Sequence, residues 1–359
     1  MMMTLSQKSA KTWLSIPEYP LEAIPSSAYI RCSLTTTVKN ILEKCHNSVS
    51  TESANNQETL PDIELFFNSI QTSKQVYKAS LSRQLAADLP PDIEQTSLKD
   101  EPKDWFIKTA DFGDDCDRVL QHRDGEYTQL LEDIARYHQI FQQGYDKIIL
   151  IRPTTYTGYD IQLTAAMQCL GYTKEQFQFI IVQPLKLYAF HKPTQQIHPI
   201  SDLPPKELIK AIGMDALRWH SFSTPLTKVA PINLSTVGQL QSNDTFALVQ
   251  FIYQRCLTLV RQGKDEGINP SMNWDDLKNL TWESTHAVKL LDLVEATPQI
   301  LTESSRELAP HLICSHLENF SQLCQPWLEG LSLTPQNFQL LSTIEQTMLE
   351  LLKILGIQR

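Results

Sequence analysis

The chain predicts an α/β region followed by an all-α bundle, and three observations carry that reading. Between residues 105 and 190, strand-like and helical runs alternate at the length of strand–helix–strand units, which is the pattern of a parallel sheet. Beyond residue 245 nearly every stretch shows the three-and-four apolar spacing of packed helices. Residues 211–261 join the two regions and read as helix, short proline-containing connection, helix.

Composition sets the outer limits. A chain of 359 residues allows two or three domains with a sizeable core. Hydrophobic residues make up 42% of it and no run reaches membrane-spanning length, so no membrane partner is expected. The start, MMMTLSQKSAKTW, lacks the apolar core of a secretory signal, which points to the cytoplasm. Seven scattered cysteines without Cys-x-x-Cys spacing read as reduced thiols. The net charge is −10, and residues 245–359 hold 8 Lys+Arg against 13 Asp+Glu, or −5. No DNA partner is expected from such a balance, and contact with RNA would need a local basic patch.

In order, residues 38–45 form a short amphipathic run, and the polar stretch 48–61 reads as a linker. Ile63, Leu65, Phe66, Ile70, Val76, Tyr77, Leu81 and Leu85 give a helical pattern that Pro90-Pro91 ends, so residues 1–104 read as mostly helical. The run 105–112 is strand-like and leads into an acidic turn. Residues 130–144 form an amphipathic helix stopped at Gly144, and DKIILIR (146–152) has the continuous apolar character of a buried parallel strand. A helix over TGYDIQLTAAMQCLGY and one or two strands over 177–190 follow. An amphipathic segment beginning near Pro205 ends at Asp215-Ala216-Leu217-Arg218. Asp244 is placed to cap the next helix and Gly263 to stop it. The bundle is predicted at 245–262, 284–295, 298–308, 310–328 and 335–355.

No metal is expected. Asp114, Asp115 and Asp117 sit in one turn with Arg118 and read as a hydrogen-bonded loop. His311, Cys314, His316 and Cys324 lie along one helix without converging on one face. Cys45 and His46 are adjacent and cannot form a nucleophile–base arrangement by themselves.

Several ordered motifs resemble arginyl-tRNA synthetases. Asp111-Phe112-Gly113-Asp114-Asp115-x-Asp117-Arg118-Val119-Leu120 matches that family's fixed positions, and Asp124-Gly125 and Asp133-Ile134-Ala135 follow at its spacing. Gly144-Tyr145-Asp146, Gly158-Tyr159, Ala165-Ala166 and Leu170-Gly171-Tyr172 continue the match. Gly213-x-Asp-Ala-Leu-Arg-Trp219, Ser242-Asn243-Asp244, Val249-Gln250-Phe251, Arg255, Leu308-x-Pro310-His311 and Leu355-Gly356-Ile357 complete it, over roughly residues 105–359. The resemblance implies a remnant Rossmann-like catalytic half-domain over 105–210, after an N-terminal region at 1–104. A helical anticodon-binding domain, named for its Asp-Ala-Leu-Arg motif, would occupy 211–359.

Departures fall where the family's chemistry would sit. The resemblance implies two ATP-gripping motifs. One is His-x-Gly-His, set at a helix N-terminus, and the other is Lys-Met-Ser-Lys on a mobile loop. Residues 1–104 contain one histidine, His46, and no such motif. Where the second motif belongs the chain reads LYAFHKPTQQIHPISDLPP (187–205), with one lysine and four prolines. The family's Trp-Gly-Ala-Asp-His-His-Gly-Tyr has become the run Arg152 to Tyr159, and a family tyrosine upstream of Asp133 falls on Gln129. Each lost transition-state contact costs a factor on the order of 10²–10³ in rate. Aminoacylation and an ATP cofactor are therefore not expected. The implied function is a non-catalytic tRNA-binding protein, with tRNA-Arg as partner, acting as chaperone or adaptor. A protein–protein scaffold that has lost tRNA is the alternative, and ligase activity completed by a partner chain is the third reading. The resemblance implies Gln250, Tyr253, Arg255 and His311 as RNA contacts, because arginine and aromatic side chains stack on splayed bases and glutamine reads their edges. It leaves Asp133 and Tyr159 in a remnant amino-acid pocket.

Overall fold

Short parallel strands and the helices that cover them make up the first of two compact units, residues 1–16 with 48–179; residues 17–47 with 180–359 make up the second. The computed structural model describes residues 12–15, 31, 49–51, 61–79, 103–191, 196–200, 203–237, 244–268 and 274–358. The predicted run at 38–45 lies outside them, as does most of the 48–61 linker.

The first unit begins with strands β1 (Thr12–Ser15) and β2 (Val49–Thr51). Helix α1 (Ile63–Ile70) follows, capped by the Asp62 carboxylate, which accepts from Leu65 N. Strands β3 (Val76–Ala79), β4 (Asp104–Ile107) and β5 (Arg118–Gln121) then form an antiparallel sheet in the order β3-β4-β5. Helix α2 (Gln129–Gln142) is capped by the Thr128 hydroxyl and buries Leu130, Leu131, Ile134, Tyr137, Ile140 and Phe141, the face its spacing predicts. Strand β6 (Lys147–Pro153) pairs in parallel with β1. Helix α3 (Thr157–Cys169) and strand β7 (Phe177–Val182) complete the strand–helix–strand unit, and the sheet order is β2-β1-β6-β7. Residues 148–153 are all buried, as a strand paired on both edges requires. The core gathers Phe67, Ile107, Leu120, Ile134, Ile148 and Leu163.

The second unit holds strands β8 (Leu185–His191), β9 (Gln196–Ile200) and β10 (Ala230–Asn233), in the order β10-β8-β9. Helices α4 (Pro205–Ile212) and α5 (Met214–Phe222) lie between β9 and β10 in the chain. The bundle comprises α6 (Thr245–Asp265), the short α7 (Trp274–Lys278), α8 (Thr285–Glu307), α9 (Pro310–Glu329) and α10 (Pro335–Ile354). Its core includes Ile252, Cys256, Leu290, Phe320, Phe338 and Ile344.

An α/β region followed by a helical bundle is thus the architecture found, with differences in detail. Residues 12–15, in the region predicted mostly helical, and 49–51, in the predicted linker, are strands β1 and β2, paired into the β6 sheet. Val76 and Tyr77, predicted helical, lie in β3, where pairing with β4 overrides local propensity. The strand-like run from Trp105 breaks after Ile107 into a 3₁₀ turn, closed by Gly113 at φ 93°. The amphipathic segment from Pro205 does not end at Asp215-Ala216-Leu217-Arg218. Gly213, at φ 81°, breaks it, and the motif opens the new helix α5. Gly263 does not stop α6, which runs on to Asp265. The predicted helices 284–295 and 298–308 are one helix, α8, with the exposed Pro298 inside it.

Candidate functional site

At the carboxyl end of β6 the first unit gathers charged and phenolic side chains from three elements, a place where parallel sheets commonly bind ligands. Asp133 and Tyr137 come from α2, Arg152 from the end of strand β6, and Tyr159 and Asp160 from the start of α3. The Tyr159 hydroxyl donates to Asp133 Oδ2 at 2.6 Å. Burial pushes the Tyr159 pKa up, and the Asp133 carboxylate beside it adds to the shift, so the phenol keeps its proton. Arg152 lies over the rings of Tyr156 and Tyr159, at 5.2 and 5.5 Å, and donates from Nη2 to Tyr137 Oη at 3.1 Å. Its Nε is 3.5 Å from Asp160 Oδ1. Burial raises the Asp160 pKa to about 6, with Arg152 opposing and Asp133 reinforcing the shift.

Sequence reasoning marked Asp133 and Tyr159 here but missed Tyr137, Arg152 and Asp160. The available signal was Arg152 itself, a charge ending an otherwise apolar buried strand. The acidic turn between β4 and β5 is internally bonded. Asp114 accepts twice from Arg118 at 2.7 Å, and Asp117 accepts from Tyr77 Oη and Ala110 N.

In the second unit, the Asp-Ala-Leu-Arg motif works as a clasp. Ala216 and Leu217 are buried while Asp215 and Arg218 face the chain's last turn. Arg218 Nη1 donates to Gly356 O at 2.7 Å, and Asp215 Oδ2 accepts from Gln358 N at 3.1 Å. A local Asp215–Arg218 pair is also present, at 3.4 Å. Trp219 stacks on Phe246 with centroids 5.5 Å apart, and its Nε1 donates to Thr245 Oγ1, which ties α5 to the start of α6. Asp244 caps α6 as predicted, accepting from Phe246 N at 3.1 Å. Beside the clasp, a cleft of about 580 Å³ is lined by Gly213, Met214, Arg218, Phe246, Gln250 and Gln358.

Gln250 and Arg255 lie on the exposed surface of α6. Five residues separate them, which places them about 140° apart around the helix. Tyr253 is 3% exposed, and its hydroxyl donates to Glu345 Oε1 on α10, so its ring packs within the bundle. Arg255 Nη2 donates to Leu328 O at 3.4 Å, a carbonyl rather than a carboxylate. His311 lies on a different helix, in the first turn of α9, where burial lowers its pKa and Nδ1 has no hydrogen-bond partner among the described residues.

The charge pattern of α6 differs from that of its neighbours. From Thr245 to Lys264 it carries Arg255, Arg261 and Lys264 and no acidic residue. Elsewhere in the bundle Lys278, Arg306 and Lys353 each pair with nearby carboxylates. The three α6 cations make no ion pair among the described residues. Phe251, 43% exposed, sits one turn before Arg255 on the same stripe.

Comparison with known proteins agrees with this architecture. Residues 249–359 match the DALR anticodon binding domain family. The arginine–tRNA ligase of Oceanobacillus iheyensis is 28% identical over 263 residues, which is 70% of this chain and 46% of that protein. The Bacillus pumilus arginine–tRNA ligase is 24% identical over 261 residues, with the same shares. The chain therefore spans about half the length of the curated relatives it matches. Among solved structures, a Campylobacter jejuni protein assigned as an arginyl-tRNA synthetase superposes with TM-score 0.71 at 16% identity, over 98% of this chain and 94% of its own. The Thermus thermophilus arginyl-tRNA synthetase superposes with TM-score 0.60 at 13% identity, over 92% and 62%. Residues 249–359 thus match the DALR anticodon binding domain family, and over its colinear motifs and its fold the chain is similar to arginyl-tRNA synthetases.

Proposed function

We propose that this chain is a non-catalytic arginyl-tRNA synthetase-like protein that binds tRNA, specifically tRNA-Arg, through the exposed face of α6, and acts as a tRNA chaperone or an adaptor for another enzyme. The observation that carries the reading is the run of α6 from Thr245 to Lys264, which holds three cations and no acidic residue before Asp265 ends the helix, inside an otherwise acidic bundle. Cations without carboxylate partners remain available to phosphates, and binding there releases condensed counterions. Gln250, Gln254 and Arg255 supply donors for bases and backbone, and Phe251 supplies a ring on which a base can stack. Tyr253 acts from within, holding α6 against α10 through Glu345.

The non-catalytic half of the proposal rests on side chains. Strand β1 pairs with β6 where a nucleotide-binding sheet would begin, yet no histidine follows it before His46. The stretch at the place of the second ATP motif forms the β8–β9 ladder and carries Lys192 as its one lysine. Without those groups no charge is offered to a developing phosphoryl transition state.

The test is binding of the purified chain to tRNA-Arg and to an unrelated tRNA across a salt series. Selective binding that weakens with salt is expected, and Arg255→Ala and Arg261→Ala should each lower the salt slope by about one. Absence of binding to either tRNA at low salt would refute the proposal.

A further inference from the structure

At the end of the bundle opposite the clasp, a second cleft of about 560 Å³ opens between the starts of α8 and α10 and the last turn of α9. The clasp holds Gly356 and Gln358, just past the end of α10, whereas Thr334 and Asn337 at that helix's start line this cleft. Helix α10 is 20 residues long, about 30 Å at 1.5 Å per residue, so the two places are well separated. The walls of the cleft are bonded to one another. Gln336 Nε2 donates to Thr281 O at 3.4 Å, and Asn337 Nδ2 donates to Ser332 O at 2.9 Å. Trp282, Pro326 and Trp327 supply three ring faces. Trp282 commits its one donor to Leu277 O at 3.3 Å. Trp327 is 6% exposed, yet its indole N–H meets no acceptor among the described residues. A buried tryptophan ordinarily finds a partner for that donor, so here it is left for a carbonyl brought from outside.

Charge narrows the choice of ligand. Among the described residues no lysine or arginine lines the cleft, and the exposed Glu283, which makes no ion pair among them, does. The first-turn amides of Ala287 and Asn337 already donate to the Ser284 and Thr334 hydroxyls. Phosphate is therefore poorly matched, and a proline-rich peptide is well matched. Proline brings a carbonyl acceptor without an N–H, its ring packs on aromatic faces, and the polyproline II conformation is largely fixed before binding. A basic residue beside the prolines would meet Glu283.

We propose that this cleft binds a proline-rich segment of a partner protein, flanked by a basic residue, with Trp327 Nε1 donating to a peptide carbonyl. The chain then has a protein-docking face separate from α6, and this inference goes beyond the α6 reading without depending on it.

The test is fluorescence anisotropy of a labelled decaproline peptide with one arginine at each end, titrated with the full chain. Saturable binding is expected, and a glycine–serine peptide of the same length with the same arginines should not bind. Trp327→Phe, which keeps a ring and lacks the N–H, should weaken binding ~10-fold. Glu283→Gln, an exposed substitution that spares the core, should lower affinity and flatten its dependence on salt. The proposal is overturned by a wild type that does not bind, by equal binding of the glycine–serine peptide, or by indifference to both substitutions. Excess tRNA should leave the peptide bound, and displacement by tRNA would also overturn the proposal by assigning the cleft to RNA. Peptide binding is measured first without tRNA, so its failure leaves the α6 reading standing and its success does not require that reading.

Discussion

Arg31 shows how much one side chain can organise. Fully buried, it donates from Nε to Ser221 O at 2.8 Å, and from its two terminal nitrogens to Gln183, Thr224, Pro225, Leu226 and Lys228 carbonyls. Its charge is stabilised by peptide dipoles gathered from the carbonyl end of α5, the loop after it, and Gln183 just beyond β7. Arg31→Ala removes that donor from the Ser221, Gln183, Thr224 and Lys228 carbonyls, at about 1–3 kcal/mol for each that stays dry, while Pro225 O and Leu226 O keep backbone donors in Lys228 N and Gln183 N. A loss of about 3 kcal/mol or more is expected from urea unfolding. Arg31→Lys should recover little, since a point charge cannot span acceptors arranged around a planar fork. Near-wild-type stability in the alanine variant would show that the loop holds itself. Asp160 makes a prediction about pH. Its folded pKa of about 6 lies above the ordinary value of 3.8, so between these values the native state keeps a proton that the unfolded chain has released. Stability therefore falls as pH rises through this window, and the deficit is complete above about pH 6. Asp160→Asn carries no such charge. Its stability advantage over wild type should shrink as thermal scans move from about pH 7.5 to about pH 4.5, and parallel pH profiles for the two proteins would argue against the assignment.

At the scale of elements, α6 and α10 meet through a backbone approach that side-chain patterns do not announce. A Cβ added at Gly263 would stand 2.3 Å from the Phe338 ring, so glycine is there to admit the ring rather than to end the helix. Gly263→Ala should destabilise the bundle by about 1–3 kcal/mol through overpacking, measured as a lower denaturation midpoint. An unchanged midpoint would mean that Phe338 rotates away at little cost. Helix positions were most legible where a buried stripe follows a capping side chain, as Thr128 does for α2 and Asp244 for α6. Strand β3 was not legible. Val76 and Tyr77 fit helical spacing as well as β-pairing, and the choice is made by β4, which lies 25 residues further along the chain at its closest paired positions.

For the molecule as a whole, the net charge of −10 understates the local field at α6, since an average over the chain hides a stretch from Thr245 to Lys264 with three cations and no acidic residue. The sequence by itself determined the order of an α/β region and a helical bundle, because apolar periodicity is a local property that survives without neighbours. It also marked Asp133, Tyr159, Gln250, Arg255 and Asp244, each through a motif of short span. Tertiary structure decided everything that depends on distant partners. It joined β1 and β2 to β6, grouped residues 17–47 with the second unit, and turned Asp215 and Arg218 toward Gly356 and Gln358. It also withdrew Tyr253 into the bundle and set Arg152 among carboxylates from two helices. A side chain's type and spacing are written locally, whereas its burial and its hydrogen-bond partners are set by segments that meet only when the chain has folded.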